Sequence, residues 1–245
     1  MYKYKQHRIG VVVPAYNVEG FLKSTIEELP AIVDRIYVVD DGSSDNTANI
    51  AKALCNSKVY LIQHERNKGP GAAMATGCKA ALADKMDVII KLDGDGQMPS
   101  EQIENLIMPI VERRVDYTKG DRLSNPDYRK SMPRFRLFGN TLLTGLTRLA
   151  SGYWHVNDTQ NGFVAISKRA LESINIETIC PYYGYLNDIL IRLNISDLEV
   201  QDVPMPARYG REKSSIRLRG YIIKVSFLLV TRFLWRLKMK YLAKK

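Results

Sequence analysis

The sequence predicts an α/β fold, a mostly parallel sheet covered by helices on both faces. Two observations carry this. Apolar runs of strand length alternate along the chain with segments of helical pattern. Pro14, Asp40, Asp41, Asp93 and Asp95 stand at or just past the carboxyl ends of those runs, where open α/β sheets bind ligands.

The elements follow in order. RIGVVVP (8–14) reads as a buried strand and VEGFLKSTIEELP (18–30) as a helix stopped near Pro30, because proline cannot continue a helix. IYVVDD (36–41) is a second strand. SDNTANIAKAL (44–54) opens with cap-type residues and continues as a helix. VYLIQ (59–63) is a third strand, and GAAMATGCKAALA (71–83) a helix of small residues able to pack closely. DVIIKLD (87–93) is a fourth strand, followed by a helix in SEQIENLIMPIVERR (100–114).

After residue 115 the pattern loosens. VDYTKGDR (115–122) is a strand running into a basic loop, and SNPDYRKSMPRFR (124–136) a mobile connection. FGNTLLTGLTRLAS (138–151) is helical, GFVAIS (162–167) a strand, YLNDILIRLN (185–194) a helix and LEVQDVPMP (198–206) a last strand. No internal repeat or low-complexity linker interrupts the chain. One domain over 1–215 with a C-terminal appendage over 216–245 is the economical organisation.

The 245 residues, 45% of them hydrophobic, suffice for a sizeable core. Cys55, Cys78 and Cys180 have no paired spacing, which fits a reducing cytosol and neither a disulfide framework nor a zinc site. His7, His64 and His155 are scattered, against a histidine metal cage. MYKYKQHRIG has no apolar stretch of the kind that marks a secretory leader. The formal charge is +10 and unevenly placed. Residues 208–245 hold 12 Lys and Arg against Glu212 alone, which leaves 24 basic and 25 acidic residues in a nearly neutral body. A nucleic-acid domain spreads its basic patch over the fold that reads the polymer. A basic tail instead points to an anionic surface or a phosphorylated ligand at one end.

The motif richest in chemistry is KLDGDGQ (91–97). A hard divalent cation wants oxygen ligands, and few from the protein if it must also hold substrate phosphates. Asp93, Asp95 and Gln97 are suited to that. A calcium loop is excluded because the remaining ligands of the twelve-residue pattern are absent. The plainer alternative is a pair of carboxylates capping the helix at 100. No G-x-G-x-x-G follows the first strand, so a dinucleotide fingerprint is missing.

VVVPAYN (11–17), VVDDGSSDNT (38–47), NKGPGAAMATG (67–77) and KLDGDGQ (91–97) occur in this order, each at a strand-to-helix junction. Together they resemble the family 2 glycosyltransferases, whose nucleotide-sugar-binding fold is termed GT-A. The resemblance covers about residues 8–215 and includes GDR (120–122), DTQNGF (158–163) and RYGREKSS (208–215). These later features look most like the polyprenyl-phosphate sugar transferases, of the dolichyl-phosphate-mannose and polyprenyl-phosphate-glucose synthase type.

The resemblance implies roles. Pro14, Ala15, Tyr16 and Asn17 line the nucleoside pocket. An acid often follows that asparagine in the family; Val18 stands there and Glu19 comes next. Asp40 or Asp41 accepts a hydrogen bond from the base, unless both merely cap the helix at 44. Lys68 and Gly69, in NKGPG, belong to the donor site, where the glycines of the run allow close backbone approach. Asp95, with Asp93 and Gln97, holds Mg²⁺ or Mn²⁺ on the diphosphate of a UDP- or GDP-hexose, and Gly94 between the two aspartates belongs to the donor site. Displacement at the anomeric carbon inverts its configuration.

The nucleophile sets the subclass. A sugar hydroxyl needs a general base. A phosphate monoester is already ionised, its second pKa lying near about 6, and needs cations to hold it. Arg122, Arg134, Arg136, Arg208, Arg211 and Lys213, with Ser214 and Ser215, are candidates for that clamp, arginine being suited to bidentate phosphate binding. For each of them singly, a solvated surface charge is the competing explanation. Two acids compete for a base-like role. Asp188 in YLND sits where many family members carry an acidic pair, Asn187 replacing its first member; the alternative is an exposed helix position. Asp158 is an acceptor-site orienter or a turn cap. Tyr153 and Trp154 belong to the core rather than to a sugar platform.

The tail IRLRGYIIKVSFLLVTRFLWRLKMKYL (216–242) is apolar but punctuated by charge. Its longest uncharged stretch, Val225 to Thr231, is far below the ~20 residues a spanning helix needs. Lys224, Arg232, Arg236 and Lys240 share one helical side, while Phe227, Leu228, Leu234, Trp235 and Leu237 are free for membrane or core contact. A basic helix with Trp, Phe and Leu suits a membrane interface; the alternative is packing on the body or on another chain, a homo-oligomer included.

The expectation is therefore a metal-dependent, inverting hexosyl transfer to a polyprenyl phosphate, by a cytoplasmic protein peripheral on the inner face of the cell membrane, with no nucleic-acid partner. Extension of a lipid-linked, capsular or O-antigen saccharide is the enzymatic alternative, and a non-catalytic membrane or nucleic-acid binding module the remote one.

Overall fold

The computed structural model describes residues 3–129, 132, 134–206 and 218–243. Among them, seven strands form one sheet: β1 Ile9–Ala15, β2 Arg35–Asp40, β3 Val59–Gln63, β4 Val88–Lys91, β5 Tyr117–Asp121, β6 Val164–Ser167 and β7 Val200–Pro204. Their spatial order is β3-β2-β1-β4-β6-β5-β7. β1 pairs in parallel with β2 and β4, β2 with β3, and β5 with β7; β6 runs antiparallel to both β4 and β5. The mostly parallel sheet is thus present, with one reversal. That reversal marks where the chain, having crossed the carboxyl end of the sheet after β5, re-enters it from that end.

Helices α1 Leu22–Glu27, α2 Thr47–Leu54, α3 Pro70–Ala83, α4 Ile103–Val111, α5 Pro126–Arg129, α6 Arg134–Ser151, α7 Lys168–Ser173, α8 Tyr185–Ile195 and α9 Leu218–Leu237 complete the described fold. Alternate strand residues feed two cores. Val12, Val39 and Ile89 pack with Met74 and Cys78 of α3 and with Ile189 and Leu190 of α8. Val11, Val38 and Ile90 pack on the other face with Leu22 of α1, Ala51 of α2 and Leu106 of α4. Both faces are buried, which is why the strands read as continuous apolar runs. The small residues of α3 bring it close to β1: a Cβ at Gly77 would lie 2.3 Å from Val12 Cγ1.

Several boundaries differ from the sequence expectation for local reasons. α1 begins four residues later than expected, because the chain after Asn17 is held in a turn: Thr47 Oγ1 accepts from Val18 N at 2.8 Å. α2 starts at Thr47, whose amide donates to Asp45 Oδ1 at 3.0 Å. The expected connection over 124–136 contains α5 and the first turn of α6. α7 was not anticipated; Ser167 Oγ caps it by accepting from Ala170 N at 3.1 Å. Tyr153 is buried as expected, its hydroxyl donating to Leu198 O at 2.5 Å, but Trp154 is 65% exposed and not part of the core.

The C-terminal helix shares a third, small core with the body. Val225 and Leu229 of α9 meet Leu143 and Ala150 of α6 and Ile191 of α8. Its cations lie on one side as expected, but for three of the four that side faces the protein. Arg232 reaches Asp188, Arg236 donates to Asn194 Oδ1 at 3.2 Å, and Lys240 pairs with Asp197 at 2.8 Å; Lys224 alone is exposed. Phe227, Val230 and Leu234 point away, 71%, 60% and 60% exposed. Beside them α6 exposes Phe138, Leu142, Leu146 and Leu149 at spacings of four, four and three, one helical stripe. No helix among the described residues is long and apolar enough to cross a membrane.

Candidate active site

The loops beyond the carboxyl ends of β1 and β2 are laced together. Asn17, at φ 54°, accepts through Oδ1 from Ser44 N at 2.9 Å, and its own amide donates to Ser43 Oγ at 3.0 Å. Glu19 accepts from Asn46 N at 2.8 Å, so its carboxylate serves the start of α2. Ala15 is buried, Pro14 half-buried, and Tyr16 projects into solvent.

The two adjacent aspartates do different things. Asp40 is buried and accepts from Ser43 N at 3.2 Å. Asp41, also buried, accepts from Lys68 N at 2.9 Å and Gly69 N at 2.8 Å, and contacts His64 Nδ1 at 2.7 Å. Neither caps α2 directly. Asp41 instead fixes the glycine-bearing turn before α3, where Gly69 has φ +97° and a Cβ would lie 2.5 Å from Pro181 O. His64 carried no sequence signal for this role; it completes the arrangement through Nε2, 3.0 Å from Thr76 Oγ1.

Beyond β4, Asp93 and Asp95 flank buried Gly94 in a turn closed by Gln97 N donating to Asp95 Oδ1 at 3.0 Å. Asp93 Oδ1 pairs at 2.5 Å with Lys91 Nζ, which is only 2% exposed. Burial works against the Lys91 charge, but Asp93 beside it, with Tyr185 and Asp95, outweighs that and holds the ammonium firmly protonated. Lys91 was missed, although a lysine inside the apolar run DVIIKLD is itself a signal, since lysine is almost never buried unless paired. No group of three or more His, Cys, Asp and Glu that could hold a metal ion occurs among the described residues. Two carboxylates and an amide fit a hard dication that draws its remaining oxygens from phosphate and water.

At the end of β5, Arg122 and Asp158 meet. Arg122 Nε donates to Asp158 Oδ2 at 2.7 Å and Nη2 to Oδ1 at 3.1 Å, a bidentate pair with Asp158 fully buried. Asp158 thus holds Arg122 in place through both of its carboxylate oxygens. Beneath them lie Lys119 and Asp202, neighbours in the β5–β7 register. Lys119 Nζ donates to Asn161 O. Burial pushes the Lys119 ammonium down to about 7 and the Asp202 carboxyl up to about 6. Nearby Asp158 and Asp202 oppose the first shift, and the Asn157 amide, 2.5 Å from Asp202 Oδ2, opposes the second.

A cavity of about 220 Å³ is lined by Lys91, Asp93, Gln160, Gly162, Tyr183 and Asn187 among others. Asn187 belongs to its wall, with Gln160 Nε2 3.4 Å from its Oδ1. Asp188 does not line it. One residue further round α8, its buried carboxylate accepts from Cys180 N at 2.8 Å and lies 2.8 Å from Arg232 Nε and 3.3 Å from Arg192 Nε. The expected alternative of an exposed helix position does not hold. Arg134 is exposed at the start of α6. The Arg136 side chain, and Arg208, Arg211, Lys213, Ser214 and Ser215, lie outside the described residues.

The model of the glycosyl transferase family 2 matches residues 10–174. The chain is 34% identical over 241 residues to the UDP-N-acetylglucosamine–dolichyl-phosphate N-acetylglucosaminyltransferase of Methanococcus voltae, covering 92% of this chain and 94% of that protein. It is 26% identical over 211 residues to the polyprenol monophosphomannose synthase of Mycolicibacterium smegmatis, covering 81% and 76%. Among solved structures, glucosyl-3-phosphoglycerate synthase from Mycobacterium tuberculosis, in complex with Mn²⁺, UDP and phosphoglyceric acid, superposes with a TM-score of 0.69 at 20% identity, covering 96% of this chain and 80% of that one. With a family match over 10–174 and the strand-end motifs assembled on this sheet, the chain belongs to the family 2 glycosyltransferases.

Proposed function

We propose that this glycosyltransferase moves a hexosyl group from a nucleotide-diphosphate sugar to a polyprenyl phosphate, with inversion, while resting on the inner face of the cell membrane. The observation that carries the reading is the state of the two acids that would serve a hydroxyl acceptor. Asp158 and Asp188 are both fully buried and both engaged by arginine. A hydroxyl needs a base; a phosphate monoester arrives ionised and needs none. Arg122, held by Asp158 at the end of β5, would receive it as a planar donor suited to phosphate.

On the donor side, Asp40 would take the base, and the 14–17 segment would line the nucleoside. Asp95, Asp93 and Gln97 would hold Mg²⁺ or Mn²⁺, which neutralises charge on the departing nucleoside diphosphate. Lys91 holds Asp93 in place at the cavity edge through their ion pair. The relative in Methanococcus voltae acts on UDP-N-acetylglucosamine and dolichyl phosphate by its name, which makes that pair the first to test here.

The membrane reading draws support from α6 and α9. Their outward stripes, Phe138, Leu142, Leu146 and Leu149 with Phe227, Val230 and Leu234, expose apolar surface of the kind that marks an interaction site. Insertion of this face, more than attraction of the inward-turned cations, would seat the protein on lipid.

The deciding experiment is transfer of radiolabel from UDP-N-acetylglucosamine, UDP-glucose or GDP-mannose, with Mn²⁺ or Mg²⁺, to a short polyprenyl phosphate. Label in the organic phase, lost with Asp95→Ala, is expected. Labelling of a saccharide acceptor, with the lipid phosphate inert, would overturn the proposal.

A further inference from the structure

We infer that Asp188 is a positioning residue that ties the C-terminal helix to the wall of the cavity, and not the group that takes a proton from an acceptor. Four contacts form one continuous connection. Arg232 of α9 lies against the Asp188 carboxylate, with Nε 2.8 Å from Oδ1 and Nη2 donating to Oδ2 at 3.3 Å. Asp188 Oδ2 holds Cys180 N at 2.8 Å. Pro181 O then accepts from Gly71 N at 2.8 Å and Ala72 N at 3.1 Å, at the start of α3. The turn before α3 is in its turn fixed by Asp41 through Gly69 N at 2.8 Å.

The packing along this line leaves no slack. A Cβ at Gly71 would lie 2.1 Å from Cys180 O, and one at Gly184 would lie 2.8 Å from Leu228 Cδ2 of α9. Segment 180–184 is therefore gripped between the glycine turn on the donor side and α9 on the other, and its Tyr183 and Gly184 line the cavity. Trp235 of α9 completes the grip, with the guanidinium carbons of Arg192 and Arg232 each 5.2 Å from its ring centroid. A helix whose outer face is apolar and whose inner face holds Asp188 thus links the seating of α9 to the shape of the site.

This inference rests on the cavity being the transfer site, and its test separates the two. The full chain is compared as wild type, Arg232→Gln, Arg232→Lys, Asp188→Asn and the Asp188→Asn/Arg232→Gln double variant. Hydrogen–deuterium exchange of the 180–187 amides is read first, without substrate. Steady-state transfer from UDP-N-acetylglucosamine to dolichyl phosphate follows. Exchange over 180–184 should rise about tenfold in Arg232→Gln and in Asp188→Asn. Turnover should fall about tenfold in each, with acceptor KM raised, and no further in the double variant, because both act on one connection. Arg232→Lys should recover most of both readouts. Unchanged exchange over 180–184 in Arg232→Gln would overturn the inference. So would loss of all turnover in Asp188→Asn while Arg232→Gln works normally, the pattern of a general base. Arg232→Gln leaves Arg192 beside the carboxylate and so keeps a foldable variant. If the wild type transfers no sugar to dolichyl phosphate, the exchange result alone decides.

Discussion

Asp158 holds the Arg122 guanidinium by two side-chain hydrogen bonds, 2.7 Å and 3.1 Å long, and does so from a fully buried position. Removing one partner leaves the other charge stranded, which is far more costly than never having the pair. Arg122→Ala should therefore destabilise the fold by about 3 kcal/mol. Asp158→Asn, which keeps a hydrogen-bond acceptor and frees a half-buried arginine, should cost less than half of that. Urea unfolding of the two variants checks the order.

Asp202 carries a pH dependence. Its folded pKa is raised to about 6, chiefly by burial, against an unfolded value of about 3.9. A carboxyl raised in this way is harmless below the unfolded value and costs stability as pH rises through the folded one. Asp202→Asn removes a penalty present above about pH 6, and its Oδ1 can still accept from Asn157 N. At pH 8 the variant should be more stable than wild type by about 3 kcal/mol, shrinking to nothing near pH 4. Denaturant midpoints at the two pH values measure it.

For Asp95 the expectation is catalytic. Asp95→Ala should lower turnover at least about a hundredfold, with donor binding no longer strengthened by Mn²⁺. Calorimetric titration of UDP with and without Mn²⁺ reads the second part without any acceptor.

The outer face of α6 and α9 is expected to matter for lipid and not for folding. Phe227→Glu with Leu234→Glu places charge on side chains 71% and 60% exposed. Vesicle co-sedimentation should fall about tenfold or more, while unfolding free energy stays within about 0.5 kcal/mol of wild type.

The close approach of α3 to β1 gives a packing test. A methyl at Gly77 would meet Val12 Cγ1 at 2.3 Å inside a core of backbone and branched side chains. Gly77→Ala should cost about 1–3 kcal/mol, as over-packing does, and Gly77→Ala with Val12→Ala should recover part of it. Thermal unfolding of the pair tests the coupling.

The strands of the sheet, its mostly parallel class, most of the helices and the loops that carry Asn17, Asp40, Asp41, Asp93 and Asp95 could be read from the sequence alone, while α5 and α7 could not. Those features follow from local pattern: a run buried on both faces must be apolar, and the residue after it reaches the ligand edge. Even Lys91 was legible, as a charge in a strand that has no room for one unless it is paired. Which side chains face each other was not legible. Asn187 and Asp188 are neighbours in the chain, yet the helix turns one toward the cavity and the other toward α9. Arg232, Arg236 and Lys240 share a helical side that any periodicity reveals, but only packing against α8 and α6 decided that this side faces inward. Periodicity fixes the angle between residues on a helix; the rotation of that helix about its own axis is set by what it packs against.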